Sequence, residues 1–285
     1  MIFRTPYPVG VALLFLCCLC CNVVTAQEPD STILCHTTHS TLYGIGASYQ
    51  QDTYLSPLQY KGMQVNILHE TQRRISWFKG RLSRQSLFQV NFTGTSSPAD
   101  NADYLGGQVH YDHAWLYNWP LSQRWHLMAG PEVGGMLGVL YNTRNGNNPA
   151  QALANIHLGV SAGAIFRFHL WRRDFGLRYH ADLSLFSAMF SPQYGQSYYE
   201  LFSLGNYDHN ICLTHPFNAR RWRNQLTLDI PGKRRTFRIG GFLDIQESHV
   251  HDIRHSDYTI GFVFGWVRHL SIHKSKRTVP EGFIM

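Results

Sequence analysis

Four polar side chains at alternate positions are candidates for catalysis. They are Arg178, His180, Asp182 and Ser184. Alternate residues of a β-strand share one face, so all four would lie on the same wall. Asp182 could orient His180, and His180 could activate Ser184 or a water molecule for nucleophilic attack. Residues two apart in a strand are, however, about 6.6 Å apart. We therefore expect a structural charge network here, and keep His180, Asp182 and Ser184 as candidate catalytic residues.

Histidine also binds metals, and the chain contains 16 histidines. Three of them, His249, His251 and His255, lie close together in a predicted turn that also holds Asp252 and Asp257. Imidazole and carboxylate groups are ligands of transition metals. The spacing matches no established metal motif, so a solvated turn is the favoured interpretation and we expect no cofactor.

Two neighbouring segments, residues 155–170 and 175–187, must position these groups, and both alternate apolar and polar residues with the period of a β-strand. Each exceeds the roughly 9–11 residues with which a tilted strand crosses a bilayer. The apolar face of the first segment contains Ile156, Leu158, Val160, Ala162, Ala164, Phe166 and Phe168. Lipid outside and water inside a barrel explain such a pattern. The polar residues expected to line the lumen are His157, Arg167, His169, Arg178, His180, Asp182, Arg238 and Asp244.

The same alternation recurs along the chain and sets the expected number of strands. Eleven candidate strands lie between residues 42 and 266. A bacterial single-chain barrel has an even number, so one strand would be missing, either at residues 197–204 or in the last fifteen residues. The expected fold is an all-β, transmembrane, antiparallel up-and-down β-barrel of about 12 strands, with 10 as the alternative.

The lengths of the connections predict the orientation of the barrel, because short turns face the periplasm and longer loops face outward. The expected turns are residues 118–122, 170–174 and 218–221, and the expected loops are residues 93–104, 142–154 and 186–207. Tryptophans near strand ends are typical of an interfacial aromatic girdle. The candidates are Trp115, Trp125, Trp171, Trp222 and Trp266.

The N-terminal segment predicts export. Arg4 precedes an apolar run that ends at Val24-Thr25-Ala26, a small-residue cleavage pattern typical of a secretory signal peptide. We expect a signal peptide at residues 1–26, a flexible leader at residues 27–39 and a barrel at residues 40–285. Cys35 and Cys212 are the two cysteines of the expected mature chain. Two thiols cannot form a disulfide framework, and whether they pair is left open.

The charge of the chain bears on its partners. Lys and Arg number 25 against 18 Asp and Glu, which gives a net charge of +7. A nucleic-acid-binding protein would concentrate its basic residues on one element, whereas here they are scattered. We therefore exclude nucleic acid and expect outer-membrane lipid, lipopolysaccharide and, during insertion, the barrel-assembly machinery as partners of a monomer located in the outer membrane.

Several local patterns together resemble a known family. They are the first strand Tyr43-Gly44-Ile45-Gly46, the loop Asp52-Thr53-Tyr54-Leu55-Ser56-Pro57-Leu58, and the late Gly240-Gly241 and Gly261-Phe262 strands. The chain is similar in these features to an uncharacterised family of Bacteroidetes-type outer-membrane barrels, a domain of unknown function. The resemblance implies an outer-membrane location and a barrel fold, and it implies no catalytic residues.

The expected function is that of a non-enzymatic outer-membrane barrel, which would be a small-solute pore, a binding protein or a structural protein of the envelope. Its polar lumen and long outer loops would be the functional surfaces. Two alternatives stay open. One is an outer-membrane barrel enzyme that acts on lipid A or phospholipid, and the other is a soluble secreted barrel that serves as a binding module.

Overall fold

The computed structural model describes residues 33–75, 77–146, 148–171, 173–232 and 235–273. Within these ranges the chain forms eleven β-strands and two short helices. The strands are β1 (Ile33–Asp52), β2 (Ser56–Ile75), β3 (Leu82–Ser96), β4 (Asp103–Pro120), β5 (Trp125–Asn142), β6 (Ala150–Leu170), β7 (Arg173–Phe190), β8 (Ile211–Thr214), β9 (Ala219–Pro231), β10 (Thr236–Val250) and β11 (Ile253–His273). The helices are α1 (Trp77–Gly80) and α2 (Tyr198–Phe202).

The strands close into an antiparallel barrel. Each pairs with its neighbour along the chain from β1 to β7, and β9, β10 and β11 follow in the same way. Pairing of β1 with β11 and of β7 with β9 closes the cylinder. The expected antiparallel barrel is therefore confirmed.

The barrel formed by the described residues has ten strand positions, because β8 and β9 occupy the same one. Both pair with β7, β8 along its last four residues and β9 along residues 176–183. Residues 215–218 interrupt what is otherwise a single strand. The alternative of ten strands is thus confirmed, and the preferred number of twelve is wrong.

Within the described residues no twelfth strand is needed to close the barrel, for three physical reasons. The eleven segments recognised in the sequence are all strands, but two of them share one position in the wall. Residues 197–204 do not supply a further strand, since they contain α2, whose first turn is closed by a capping box between Ser197 and Glu200. β11 already pairs with both β1 and β10. The tail from residue 274 onward lies outside the described residues.

The barrel begins earlier than expected. β1 starts at Ile33 and pairs with β11 from the Ile33–His273 pair onward. Residues 33–39 therefore belong to the barrel wall and not to a flexible leader. The predicted signal peptide and residues 27–32 lie outside the described residues. Cys35 pairs through its backbone with Ile272 at one end of the barrel, whereas Cys212, a free thiol, lies opposite Met189 near the other end.

The connections divide between two ends of the barrel. One, called here the loop end, carries residues 53–55, 97–102, 143–146, 148–149, 191–210 and 251–252. The other, called the turn end, carries residues 77–81, 121–124, 171, 232 and 235, and both β1 and β11 have their outer termini there. The longest predicted loops share the loop end, as expected. Residues 218–221 are not a turn, because they lead from the interruption directly into β9.

The alternation seen in the sequence becomes an apolar outside and a polar inside. Ile156, Leu158 and Val160 are exposed on the outer face of β6, and comparable side chains are exposed on the other long strands. Among the predicted tryptophans, Trp222 lies toward the loop end and the other four lie toward the turn end. No helix in the described ranges is long and apolar enough to span a membrane.

Candidate functional site

The lumen is filled with buried polar side chains, because every second residue of each strand faces inward. We describe them as three layers along the barrel axis. The turn-end layer contains Glu70, Gln85, Arg178, Asp229 and Arg238; the central layer contains Asp112, Glu132, His157, His180, Asp182, Arg221, Arg223 and Asp244; the loop-end layer contains Gln50, Asp52, Tyr60, Tyr104, His255 and Asp257.

The turn-end layer bridges opposite walls of the barrel. Glu70 on β2 binds Arg178 on β7, with 2.5 Å between Oε1 and Nη2. Its second oxygen, Oε2, lies 3.4 Å from Nη1 of Arg238. The Nε of Arg238 also donates to Asp229 Oδ1 over 2.6 Å, and Gln85 donates to Glu70 over 3.0 Å. Since β2 and β7 are five positions apart in a ten-strand cylinder, the Glu70–Arg178 pair crosses the lumen.

The central layer also crosses the lumen. Asp182 pairs with Arg223 through a short contact to Nη2. Arg221 Nη1 lies 3.1 Å from both carboxylate oxygens of Asp112 on β4. His180 Nε2 lies 3.0 Å from Asp182 Oδ1. Buried ion pairs of this kind hold their partners in place because separating them would leave charges unpaired in a low-dielectric interior.

The loop-end layer combines a further ion pair with aromatic packing. His255 Nδ1 lies 2.9 Å from Asp52 Oδ2, and Gln50 donates to Asp257 over 2.9 Å. The rings of Tyr60 and Tyr104 stack with their centroids 3.7 Å apart. These residues close the lumen beneath the loops.

Hydrogen bonds and an aromatic contact hold the connection formed by residues 191–210 against the loop-end layer. Tyr54 donates its hydroxyl to the Gln196 carbonyl over 2.8 Å, and its ring contacts Tyr198 edge-on at 5.9 Å. Tyr198 donates to Gln151 over 3.1 Å. Burial raises the pKa of Tyr198 to about 12, so its hydroxyl keeps its proton at neutral pH and remains a donor.

The candidate catalytic residues do not form a triad. Nε2 of His180 faces both Asp182 and Ser161, the latter at 3.2 Å, whereas its Nδ1 has no hydrogen-bond partner among the described residues. A triad needs the carboxylate on one ring nitrogen and the nucleophile on the other. Ser184 is engaged elsewhere, since its hydroxyl accepts from the backbone N–H of Arg221 over 2.9 Å.

The structure places six of the eight predicted lumen residues inside the barrel. These are His157, Arg178, His180, Asp182, Arg238 and Asp244. The prediction is wrong for His169, whose side chain is 65% exposed and pairs with Asp174 in solvent. Arg167 is exposed at the turn-end mouth. Both lie where β6 reaches the rim, so inward alternation no longer buries a side chain there.

The three histidines considered for a metal are not brought together. His255 binds Asp52 inside the barrel. His251 lies 3.3 Å from Cys212 Sγ, and His249 is exposed. His251 and Asp252 form the two left-handed residues of the turn, with φ of 54° and 61°.

A different group was missed in the sequence. Asp112, Glu132 and His157 are buried and come from the adjacent strands β4, β5 and β6, with one ligand atom of each within 4.8 Å of the others. All three occupy inward positions of their strands. Alternation could have identified these three residues as inward-facing. The glycine-rich sequence of β5 makes its alternation irregular, so the inward position of Glu132 was not recognised.

The turn-end mouth holds a cavity of about 370 Å³. Its lining includes Arg74, Arg167, Arg178 and Arg238, and the carboxylates Asp174 and Asp229. The turn-end layer forms its floor, since Arg178 and Arg238 belong to both. Inside the barrel, the void beside Glu70 and Arg223 measures only about 10 Å³.

A family model described as a protein of unknown function (DUF3316) matches residues 11–277. No curated protein matches the chain. Among solved structures, the outer membrane protease OmpT from Escherichia coli is 6% identical, with 86% of this chain and 100% of that chain covered and a TM-score of 0.48. The transport unit of the autotransporter AIDA-I from Escherichia coli is 9% identical, with coverages of 90% and 97% and a TM-score of 0.44. These likenesses concern the fold alone.

Proposed function

Because the chain belongs to the DUF3316 family of unknown function, its role must be argued from its own residues, and we propose that it is an outer-membrane barrel with a closed lumen that binds a small anion at its turn end. The expected resemblance to an uncharacterised family is confirmed, while the Bacteroidetes type stays a prediction. The cationic lining of the turn-end cavity is the observation that carries this proposal.

The outer surface supports a membrane location. Large apolar side chains are exposed on every long strand, among them Ile45, Ile67, Phe92, Val109, Leu137, Leu158, Leu177, Leu226, Ile239 and Phe262. Soluble monomers rarely expose contiguous apolar patches above a few hundred Å², and a lipid bilayer covers such a belt without a protein partner. We infer an exported monomer that lies in outer-membrane lipid, with lipopolysaccharide around it and the assembly machinery inserting it.

The packing of the lumen favours a closed barrel over a pore. Ion pairs cross from β2 to β7 and from β4 to β9, and Tyr60 and Tyr104 fill the space above them. Narrow barrels are commonly filled by their own side chains. A solute would have to break several buried pairs to pass.

The turn-end cavity has the charge that an anion requires. Four arginines and two carboxylates line it. Arg178 and Arg238 are already paired with Glu70 and Asp229, so Arg74 and Arg167 are the arginines left for a ligand. No carboxylate of the described residues lies within 4.0 Å of the guanidinium of Arg74 or of Arg167. A concave site with unpaired charges of one sign concentrates ligands of the opposite sign. The volume lies in the range of small-molecule sites.

The test combines conductance with anion binding. Folded protein in planar bilayers should carry no steady current, and a stable open conductance would contradict the closed lumen. Titration calorimetry with pyrophosphate should show saturable binding. Arg167→Gln should weaken it about tenfold, because a charge-assisted hydrogen bond is worth roughly 1.5–3 kcal/mol. Arg173→Gln, which removes the same charge outside the cavity on β7, is the matched control, and equal losses in both variants would overturn the proposed site.

A further inference from the structure

We propose that Asp112, Glu132 and His157 form a binding site for one divalent transition-metal ion inside the barrel. The site is separate from the turn-end cavity and does not depend on it. It combines one imidazole with two carboxylates, a set of ligands that suits borderline ions such as Zn²⁺.

The spacing of the three groups is that of ligands around a metal. His157 Nε2 lies 3.4 Å from Asp112 Oδ1 and 3.6 Å from Glu132 Oε1. Both distances exceed the usual 2.7–3.2 Å of an N–H···O hydrogen bond. Ligands bound at about 2.0–2.2 Å to a tetrahedral zinc ion are roughly 3.3–3.6 Å from one another. His157 therefore lies at ligand distance from both carboxylates, whose own ligand atoms lie within 4.8 Å of each other.

Gly134 makes room for this arrangement. Asp112 lies opposite Gly134, and Gly134 lies opposite His157, so the three residues form a row across β4, β5 and β6. A Cβ atom at position 134 would stand 2.2 Å from Asp112 Oδ1 and 2.7 Å from His157 Cε1. Only a glycine lets the two side chains converge over the middle strand.

The central layer contains more buried carboxyl groups than guanidinium groups. Four buried carboxylates, those of Asp112, Glu132, Asp182 and Asp244, face two guanidinium groups, those of Arg221 and Arg223. Glu132 and Asp182 are hydrogen-bonded to each other, so these two carboxyl groups share a proton when no ion is bound. Neither oxygen of Asp244 has a hydrogen-bond partner among the described residues, although its side chain is buried and interacts electrostatically with Asp112. A divalent ion bound to Glu132 would displace the shared proton and supply the positive charge in its place.

Arg221 binds Asp112 and would compete with a metal ion for this carboxylate. Asp244, in the same layer, is another partner for Arg221. Its Nε and Nη2 atoms lack hydrogen-bond partners among the described residues, as do both oxygens of Asp244. The two residues already interact electrostatically. When a metal binds Asp112, Arg221 can turn to Asp244. Arg223, 3.6 Å from Asp112 Oδ2, can stay and orient the ligating carboxylate from outside, as outer partners of metal ligands commonly do.

A small cavity adjoins the site at His157. It measures about 60 Å³, is lined by His157 and Arg221 and extends toward Ser191 and His255 at the loop end. A cavity of this size holds a few water molecules. One of them can fill the fourth position around an ion that has three protein ligands.

The experiment measures Zn²⁺ bound to the folded full chain. Protein purified in detergent, stripped with EDTA and dialysed against Zn²⁺ should retain one ion per barrel by elemental analysis. His157→Ala and the near-isosteric Glu132→Gln should each weaken binding at least tenfold. His169→Ala is the control, because it removes an imidazole from the same strand where the side chain is exposed. A heat-modifiability gel identifies the folded form of each variant.

Three outcomes would overturn the proposal. They are the absence of stoichiometric Zn²⁺ on the folded wild-type barrel, unchanged binding in folded Glu132→Gln, and equal losses in His157→Ala and His169→Ala. Should His157→Ala fail to fold, Glu132→Gln decides the matter, because it keeps the shape of the side chain. Pyrophosphate binding at the turn end is measured on separate, EDTA-stripped aliquots of the same preparations, because pyrophosphate chelates Zn²⁺. A failure of the anion site is thereby distinguished from a failure of the metal site.

Discussion

Glu70 joins two arginines that come from different parts of the barrel wall. Its carboxylate contacts Arg178 on β7 and Arg238 on β10, while Ser40 and Gln85 donate to its oxygens over 3.2 Å and 3.0 Å. A buried carboxylate is tolerated when its charge and its lone pairs are all engaged in this way. Glu70 therefore holds the turn-end layer together more than any single arginine does.

Replacing Glu70 by Gln should destabilise the folded barrel by about 3–5 kcal/mol, because it leaves Arg178 buried without its partner. Urea unfolding of the protein in lipid vesicles measures the change. Asp174→Asn is the matched control, since it removes a carboxylate whose pair with His169 is exposed. Its effect should stay below about 0.5 kcal/mol. A similar cost for both variants would mean that the turn-end layer does not stabilise the barrel.

At the scale of elements, the interrupted strand and the hairpin beside it are the least regular part of the wall. Residues 215–218 separate β8 from β9, and Asn218 stabilises the break by accepting from His215 N over 2.8 Å and from His249 N over 2.7 Å. The β10–β11 hairpin turns through His251 and Asp252 alone, both with positive φ. This two-residue turn matches the twist of the strands that it joins.

Asp252→Val should lower the free energy of unfolding by about 1–2 kcal/mol, because a side chain branched at Cβ does not tolerate the left-handed conformation. Asp252→Gly removes the same carboxylate and adopts that conformation without strain, so it should cost far less. The urea midpoints of the two variants measure the difference. Equal midpoints would show that the turn conformation contributes nothing to stability.

At the scale of the whole molecule, the apolar belt and the aromatic residues near the turn end describe a cylinder suited to lipid. Trp125 packs against Phe166 at 4.8 Å, and Phe168 stacks on Phe175 at 5.6 Å. Aromatic side chains of this kind gather at the level of the lipid head groups. The middle of the belt should then be the part least tolerant of charge.

A depth series on β6 tests this. Val160→Arg, in the middle of the strand, should destabilise the barrel by about 2–4 kcal/mol, whereas Leu170→Arg, at the turn end, should cost no more than about 1 kcal/mol. Both side chains are exposed on the outer face, so a soluble barrel would tolerate both changes. Equal small effects, together with extraction of the protein without detergent, would contradict the membrane location.

The alternation of apolar and polar residues can be read from the amino-acid sequence alone, and it predicts the class of fold. Ile156, Leu158 and Val160 face out while His157 and Ser161 face in, as their spacing predicts, because the side-chain period of a strand is local geometry. The same side-chain period predicts which charged residues face the lumen. Among the predicted lumen residues, His169 and Arg167 are exposed. Alternation predicts the face of a strand but not the position of the rim of the barrel.

The number of strand positions and the grouping of the inward residues were decided only by the tertiary structure. Two segments recognised as strands share one place beside β7, which depends on pairing between distant parts of the chain. In the same way Asp112, Gly134 and His157 form a row only through the registers of β4, β5 and β6. Local periodicity fixes which face a residue takes, but it carries no information about strand register, and register determines which inward side chains meet.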